Sequence, residues 1–314
     1  MAKIAVLFPG QGSQAVGMGQ DIYEKYESAR AFLQQASQAS GLDLEQLCFG
    51  GPAEVLALTE NTQPALVAVE GMIWHVLQDL GFSPEAAAGL SLGEYSALAA
   101  AGALTFVEAA GLVAKRGAIM ASALPAGTTT MAAVLGMDGS EIAAICQQAP
   151  EGDVVEVANY NCPGQVVIGG EHQAVLRASD RLLAAGARRV VPLNVSGAFH
   201  TSLLQEAGLR LRSHLDQVMF KPMNIPVLFN TTGNYQDRSL EDLLQAQISS
   251  PVHFEASVRR LLAEGFDTFV EVGPGKTLSG FVKKIDRKAR VLQVEDLAGI
   301  EHLKQVLGGI SSEQ

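Results

Sequence analysis

The segment Ala86-Ala87-Ala88-Gly89-Leu90-Ser91-Leu92-Gly93 joins a short apolar run, a tight turn and the start of a helical pattern. Its G-x-S-x-G spacing is typical of a nucleophile elbow, in which a strained turn projects the serine hydroxyl into a cleft. A strand before the turn and a helix after it would let the N–H of Leu92 and the helix N-terminus stabilise negative charge. The alternative is a Gly-Ser turn without chemistry. The segment predicts an α/β fold and makes Ser91 a candidate nucleophile.

Apolar runs elsewhere in the chain predict that this strand belongs to a parallel sheet. Lys3 to Phe8 is a continuous β-prone run that ends at Pro9-Gly10, as expected of a strand buried on both faces. Further strands are predicted at Pro226 to Asn230, Thr268 to Val272 and Val291 to Val294. The predicted helices of this large domain include Gln63 to Leu80, Thr105 to Met120, Ser239 to Ile248 and Phe254 to Ala263.

A different order of elements runs from Thr129 to Val195. The predicted order is strand, helix, two strands, helix and strand, at Met131 to Leu135, Ser140 to Gln148, Val154 to Asn159, Gln165 to Ile168, Ala174 to Ala185 and Arg189 to Leu193. This βαββαβ order is typical of a ferredoxin-like unit. We therefore predict a large α/β domain at 1–127 and 196–314, with a small inserted domain at 128–195.

The composition excludes several classes of protein. With 48% hydrophobic and 18% charged residues among 314, the chain is not intrinsically disordered. A net charge of −11 has the wrong sign for binding nucleic acid. The N-terminal apolar run is too short for a signal peptide or a membrane span. Three widely spaced cysteines form neither a disulfide framework nor a zinc pattern, so we expect a cytoplasmic enzyme without a metal.

A serine nucleophile needs a base, and six histidines are available. His75, His214 and His302 lie within helical patterns, where ordinary surface or half-buried side chains are common. His200 follows a predicted strand at the start of a helix, where a loop can present it to a cleft. Its position alone leaves the choice between a base and an ordinary loop residue open.

Arg116 lies on an apolar face of the helix that Thr105 opens. Its neighbours three and four positions away are Leu112, Val113, Ile119 and Met120. A buried guanidinium needs an anionic partner, and its fork suits a carboxylate. A substrate carboxylate, a structural salt bridge and snorkelling to solvent all remain open.

Two glycine-rich segments resemble nucleotide loops without completing the pattern. Gly10 to Ala15 loosely fits G-x-G-x-x-A, but the acidic residue at the end of a second strand is missing. Such a loop can instead offer the N–H of Gln11 to an oxyanion. Gly273 to Thr277 has Val270 where a phosphate loop has its first glycine, which indicates a turn.

Five motifs in one order give the chain a close resemblance to malonyl-CoA:acyl carrier protein transacylases over essentially its whole length. They are Gly-Gln-Gly-Ser-Gln (10–14), Gly-Leu-Ser-Leu-Gly-Glu (89–94), Arg116, Gly-Ala-Phe-His (197–200) and Glu-Val-Gly-Pro-Gly (271–275). The resemblance implies a hydrolase-like α/β domain with a ferredoxin-like insertion. It also implies an enzyme of fatty-acid or polyketide biosynthesis whose substrates are malonyl-CoA and a phosphopantetheinylated acyl carrier protein, with no cofactor. We expect a monomer.

By motif, the resemblance implies that Ser91 is the nucleophile and His200 the base. Gln11 and Leu92 would supply the oxyanion-hole N–H groups, and Arg116 would pair with the malonyl carboxylate.

The resemblance also implies secondary roles. Phe199 matches malonyl-selective members, and a backbone carbonyl near Gln247 would orient His200 in place of an acidic residue. Asn159 and Asn161 resemble cleft-lining residues, with turn-forming asparagines as the alternative. The chain departs from many members at two positions, with Leu90 where histidine is common and Ala198 where proline is common. Neither position carries a reacting group.

Other interpretations remain open. The same Ser91 and His200 could serve a thioesterase or esterase that passes the acyl group to water, and a binding protein on this fold is a second alternative. Five basic residues could dock an acidic carrier or only form a solvated helix face, namely Lys283, Lys284, Arg287, Lys288 and Arg290.

Overall fold

The computed structural model describes residues 2–195 and 197–308, and its strands form two separate sheets. The first compact unit comprises Met1–Gly117, Met219–Leu228 and Leu261–Gln314. The second comprises Ala118–Val218 and Phe229–Arg260.

The strands and helices alternate along most of the chain. The strands are β1 (Ile4–Phe8), β2 (Ala86–Gly89), β3 (Thr129–Leu135), β4 (Val155–Cys162), β5 (Gln165–Glu171), β6 (Arg189–Pro192), β7 (Val227–Leu228), β8 (Thr268–Val272) and β9 (Arg290–Val294). The helices are α1 (Gln20–Lys25), α2 (Glu27–Ser40), α3 (Ala53–Leu56), α4 (Thr59–Asp79), α5 (Gly93–Ala100), α6 (Phe106–Ala121), α7 (Gly139–Gln147), α8 (His172–Ala184), α9 (Gln205–Leu215), α10 (Leu240–Gln247), α11 (Phe254–Ala263), α12 (Thr277–Ile285) and α13 (Leu297–Leu307). Gln46–Gly50 forms a π-helical turn and Ser202–Leu204 a 3-10 turn.

The sheet of the first unit is parallel, with strand order β7-β2-β1-β8-β9. Its central strands are buried on both faces, which explains the unbroken apolar run of β1. Phe8 pairs with Gly89, so the loops that follow β1 and β2 leave the sheet at the same edge. In open α/β sheets this carboxyl edge is the usual place for a binding site.

The sheet of the second unit is antiparallel, with strand order β4-β5-β3-β6. Helices α7 and α8 bury apolar side chains in its core, which includes Val134, Ile142, Ile168 and Leu182. Sequence order and strand order together are those of a ferredoxin-like unit. The predicted fold class is confirmed, with a parallel core sheet and a separate small antiparallel sheet.

Local signals account for where helix α6 begins. Glu108 accepts from the Thr105 N–H at 2.7 Å, and the Glu108 N–H donates to Thr105 Oγ1 at 3.1 Å. This is the predicted capping box. The hydrogen bond from the Thr105 backbone also lowers the pKa of Glu108.

Several elements differ by a few residues from their predicted bounds, and hydrogen bonds explain the difference in two of them. Helix α4 begins at Thr59 rather than Gln63, because Leu58 O accepts from the N–H groups of Asn61 and Thr62 and adds a turn before Pro64. Strand β7 is shorter than the predicted Pro226 to Asn230, because the Phe229 N–H donates to Asn234 O and leaves the sheet.

The predicted domain limits, 1–127 with 196–314 and 128–195, stay a prediction. They follow the span of the antiparallel sheet, whereas the second compact unit also includes flanking helices such as α9 and α10. Met1, Ser196 and residues 309–314 lie outside the described residues. Within the described ranges, no helix combines the length and apolar character needed to cross a bilayer.

Candidate active site

The turn that carries Ser91 requires glycine on both sides. A Cβ on Gly89 would lie 1.9 Å from the carbonyl carbon of Gly93, and a Cβ on Gly93 would lie 2.0 Å from Phe8 O. Ser91 itself has φ 52°, a left-handed conformation that costs a non-glycine residue on the order of 1–3 kcal/mol. Strained backbone of this kind is typical of a nucleophile elbow.

The loop after β1 lies against this elbow. Leu90 N–H donates to Phe8 O at 3.0 Å, and a Cβ on Gly10 would lie 2.4 Å from Leu90 O. The next residue, Gln11, donates its side-chain amide to Thr59 Oγ1 at 3.1 Å. Leu92 immediately precedes α5, where the first N–H groups lack partners within the helix. The predicted oxyanion-hole residues therefore come from loops at the ends of neighbouring strands.

Arg116 is the largest fully buried side chain of the protein, with 1% of its surface exposed. Its Nη1 donates to Gln63 Oε1 at 2.7 Å, and its Nη2 lies 3.4 Å from Ser91 Oγ. The guanidinium carbon also lies 5.3 Å from the centre of the Tyr95 ring. This burial excludes snorkelling to solvent. A cation therefore lies directly beside the candidate nucleophile.

The surroundings of Arg116 offset its burial only in part. Burial lowers the pKa of Arg116, while Tyr95 and the buried Glu94 oppose this effect. Burial raises the pKa of Tyr95 to about 12. Its hydroxyl therefore stays protonated and has no negative charge that could neutralise the guanidinium of Arg116. The sequence pattern around Arg116 did not indicate Gln63 and Tyr95 as its neighbours. Glu94 is the last residue of the 89–94 motif, which is the signal that could have identified it.

Besides Glu94, the described part of the first unit buries the carboxyl groups of Glu70 and Glu271, which are not among the predicted site residues. Glu271 accepts from the N–H groups of Leu278 and Ser279 at 3.0 and 2.8 Å, so it caps the first turn of α12. Glu70 accepts from Ser96 Oγ. Burial raises the pKa of both groups. The glutamate of the 271–275 motif therefore has a structural contact, and its Gly-Pro-Gly segment is the predicted turn.

The second unit contains His200, whose side chain is 3% exposed. Its Nδ1 lies 2.8 Å from Gln247 O, and its backbone N–H donates to Ile248 O at 3.0 Å. Because a carbonyl only accepts, Nδ1 carries the proton and Nε2 is the unprotonated ring nitrogen. The contact with Gln247 is the one that the resemblance implies. His200 has φ 63°, a second left-handed non-glycine residue.

Asn159, Asn161 and Phe199 are also buried in the second unit. Tyr160 N–H donates to Val252 O at 2.8 Å, and Val252 N–H donates to Ala158 O at 2.9 Å, so the end of β4 is fastened to the segment after α10. Asn161 Oδ1 is buried with no hydrogen-bond partner among the described residues. Both asparagines lie in a strand, so the turn-forming alternative is wrong.

The remaining candidate residues lie in other elements. His75, His214 and His302 are in helices α4, α9 and α13. The basic residues at 283–290 are exposed, although Lys283 Nζ donates to Ala289 O at 2.7 Å. Their docking role stays a prediction. Among the described residues, no group of three or more histidine, cysteine or acidic side chains could hold a metal ion.

The chain is similar to known proteins over nearly its whole length. Residues 6–306 match the family model described as acyl transferase domain. The malonyl CoA-acyl carrier protein transacylase of Bacillus subtilis (strain 168) is 44% identical over 310 residues, 98% of each chain. The crystal structure of the transacylase of that name from Clostridium perfringens has a TM-score of 0.94 at 40% identity and 98% coverage of both chains. A structure of a holo type II PKS acyl-carrier protein in complex with its malonyl-transacylase matches with a TM-score of 0.94 at 37% identity, covering 97% of this chain and all of that one.

Proposed function

The chain belongs to the malonyl-CoA:acyl carrier protein transacylases of the acyl transferase domain family, and from this premise we propose its reaction. It is an acyltransferase that moves the malonyl group of malonyl-CoA to the phosphopantetheine thiol of an acyl carrier protein. The product serves fatty-acid or polyketide biosynthesis.

In the proposed mechanism, Ser91 Oγ attacks the thioester carbonyl and its proton passes to Nε2 of His200. The carbon–sulfur bond then breaks, and coenzyme A leaves as a thiol with that proton. A malonyl-serine ester remains. In the second half-reaction the carrier thiol gives its proton to His200 and its sulfur attacks the ester, and Ser91 regains the proton as it leaves.

The N–H groups of Gln11 and Leu92 would donate to the oxyanion that forms in each half-reaction. The carbonyl of Gln247 would hold His200 in the tautomer whose Nε2 is unprotonated. Phe199, Asn159 and Asn161 would line the acyl site. No cofactor takes part in the proposed reaction, because the serine, the imidazole, the malonyl-CoA thioester and the carrier thiol supply every reacting group.

The observation that supports a carboxylated acyl group is the buried guanidinium of Arg116, 3.4 Å from Ser91 Oγ. A malonyl group on Ser91 carries its carboxylate a few bonds from the ester, within reach of a cation beside the nucleophile. A bidentate, charge-assisted pair is strong in such a buried place. The same cation gives a simple esterase no benefit.

The rival function is hydrolysis, and the fate of the malonyl group distinguishes the two. Protein incubated with malonyl-CoA is expected to gain one malonyl adduct, measured by intact mass, and to discharge it onto a phosphopantetheinylated carrier. Adduct loss should be slow without the carrier. Rapid release of free malonate in its absence would establish a thioesterase instead, and binding without any adduct would indicate a binding protein.

Arg116→Ala is expected to remove malonyl selectivity. Losing the charge-assisted pair costs about 1.5–3 kcal/mol, so kcat/KM for malonyl-CoA should fall roughly ten- to a hundredfold. Acetyl-CoA lacks the carboxylate and is the control substrate, with kcat/KM expected to stay constant or rise. Arg116→Lys keeps the charge without the fork and should lie between. Equal losses for both thioesters would contradict a role in carboxylate recognition.

Further features of the proposal concern the protein in the cell. The three cysteines, Cys48, Cys146 and Cys162, are free and buried, as expected in a reducing compartment. We infer a cytoplasmic enzyme that acts as a monomer on malonyl-CoA and an acyl carrier protein, with no nucleic acid or membrane as partner. The division into a large domain and an insertion at 128–195 remains part of the proposal.

A further inference from the structure

The turn that follows His200 is held by more than the contacts of the imidazole. His200 has φ 63°, a conformation that a non-glycine residue keeps only where its surroundings enforce it. On one side, the end of α10 supplies Gln247 O and Ile248 O. Within the turn, Thr201 Oγ1 donates to Ala198 O at 2.7 Å. None of these bonds holds the residue that follows Thr201, which is Ser202.

Glu156, the second residue of β4, holds that residue. Its Oε2 accepts from the Ser202 N–H at 2.7 Å, and its Oε1 accepts from Ser202 Oγ at 2.6 Å. Both oxygens of one carboxylate therefore hold one residue, two positions after His200. Glu156 and Ser202 are each half-buried, which limits competition from water.

The neighbouring strand adds a second, independent contact with the same turn. Glu156 pairs with Gly169 of β5 across the sheet. A Cβ on Gly169 would lie 3.1 Å from the methyl group of Thr201, so glycine leaves the space in which that methyl lies. One cross-strand pair thus contacts two consecutive residues, Thr201 and Ser202. The antiparallel sheet is a platform for the turn.

We propose that Glu156 is a positioning residue for His200, acting through Ser202. This rests on the proposed function of His200 as the base. The imidazole is tied by Nδ1 to Gln247, but the place of Nε2 also depends on where the backbone of the turn lies. Proton transfer needs the base within hydrogen-bond reach of the hydroxyl, and a displacement of about 1 Å can cost on the order of a hundredfold in rate.

The test measures the rate of Ser91 acylation at a series of malonyl-CoA concentrations, by quenched flow followed by intact-mass spectrometry. The series gives the maximal rate and, separately, the concentration for half-maximal rate, which reports substrate affinity. Glu156→Ala is expected to lower the maximal rate about tenfold while the concentration for half-maximal rate stays constant. Glu156→Gln should stay within about twofold of wild type, because its amide oxygen accepts from the Ser202 N–H and its amide nitrogen donates to the Ser202 hydroxyl oxygen. Rescue by glutamine would show that the hydrogen bonds, not the charge, carry the effect.

Glu171→Ala is the matched control. Glu171 ends β5 in the same sheet and accepts from the Val154 N–H at 3.1 Å, so its loss also removes a carboxylate-to-backbone bond. It should leave the acylation rate of folded protein unchanged. Equal rate losses in Glu156→Ala and Glu171→Ala, or a wild-type maximal rate in Glu156→Ala, would overturn the proposal.

Ser202→Ala keeps the test decisive if Glu156→Ala does not fold. It retains the N–H bond to Glu156 and loses only the hydroxyl bond, so a smaller fall in the maximal rate is expected, again without a change in affinity. An unchanged rate would overturn the proposal. The wild-type protein tests the proposed function independently of the Glu156 proposal. A wild-type protein that forms no malonyl adduct would refute the proposed function itself.

Discussion

Ser91→Ala is expected to abolish the malonyl adduct and to lower transfer to the carrier on the order of 10⁴-fold or more, as loss of a serine nucleophile does elsewhere. The reason is that every later step requires the ester on Ser91 Oγ. Arg116 loses its 3.4 Å contact with Ser91 Oγ but keeps its hydrogen bond to Gln63, so malonyl-CoA should still bind. Intact mass after brief incubation measures the adduct, and a carrier-loading assay measures the transfer.

Ser13→Ala is a suitable control for the serine variant. Ser13 lies in the loop after β1, and its hydroxyl donates to Gly10 O at 2.9 Å. That variant should form the adduct at a rate close to wild type. An adduct of undiminished yield in Ser91→Ala would mean that another residue is the nucleophile, and the elbow would then be only a structural turn.

His200→Ala is expected to slow acylation of Ser91 by roughly 10²- to 10⁴-fold, the usual contribution of a general base. The adduct should still form on long incubation, because the nucleophile and its neighbours remain. The wild-type rate should fall on acidification, since a protonated imidazole cannot accept a proton, whereas the variant should lack this dependence. Acylation rates measured across a pH series test both expectations.

His214→Ala is the matched histidine control for this experiment. His214 is half-buried in α9 of the same unit. Its replacement should change neither the rate nor the pH dependence. If His200→Ala kept the acidic fall in rate, the titrating base would be another group, and the role assigned to His200 would be wrong.

Together these variants distinguish three contributions to one reaction. In the proposed mechanism, Ser91 provides the bond to the acyl group, His200 moves the proton, and Arg116 selects the carboxylated substrate. Each loss should be recognised by a different measurement. Loss of Ser91 should abolish the adduct, loss of His200 should lower the acylation rate and remove its pH dependence, and loss of Arg116 should change the ratio of malonyl to acetyl turnover. The Glu156 variants add a fourth, a fall in maximal rate without a change in affinity.

Local signals in the sequence determined much of the fold. The apolar run of β1, the capping box of Thr105 and Glu108 and the βαββαβ order all depend on residues close together in the chain. The elbow around Ser91 is equally local, because its glycines and its serine span five positions. Such signals reflect backbone geometry, which a short stretch of sequence controls directly.

The partners of the candidate site were decided by the tertiary structure. Arg116 donates to Gln63, 53 residues away in the chain, and His200 Nδ1 contacts the carbonyl of Gln247, 47 residues away. The sequence alone left the partner of Arg116 open, and only the resemblance pointed to a carbonyl near Gln247. Nothing in the sequence around Glu156 predicted its contact with Ser202, which is 46 residues away. Residue types and spacing predict which groups can react, but a hydrogen bond depends on where distant segments meet, and only the packed chain fixes that.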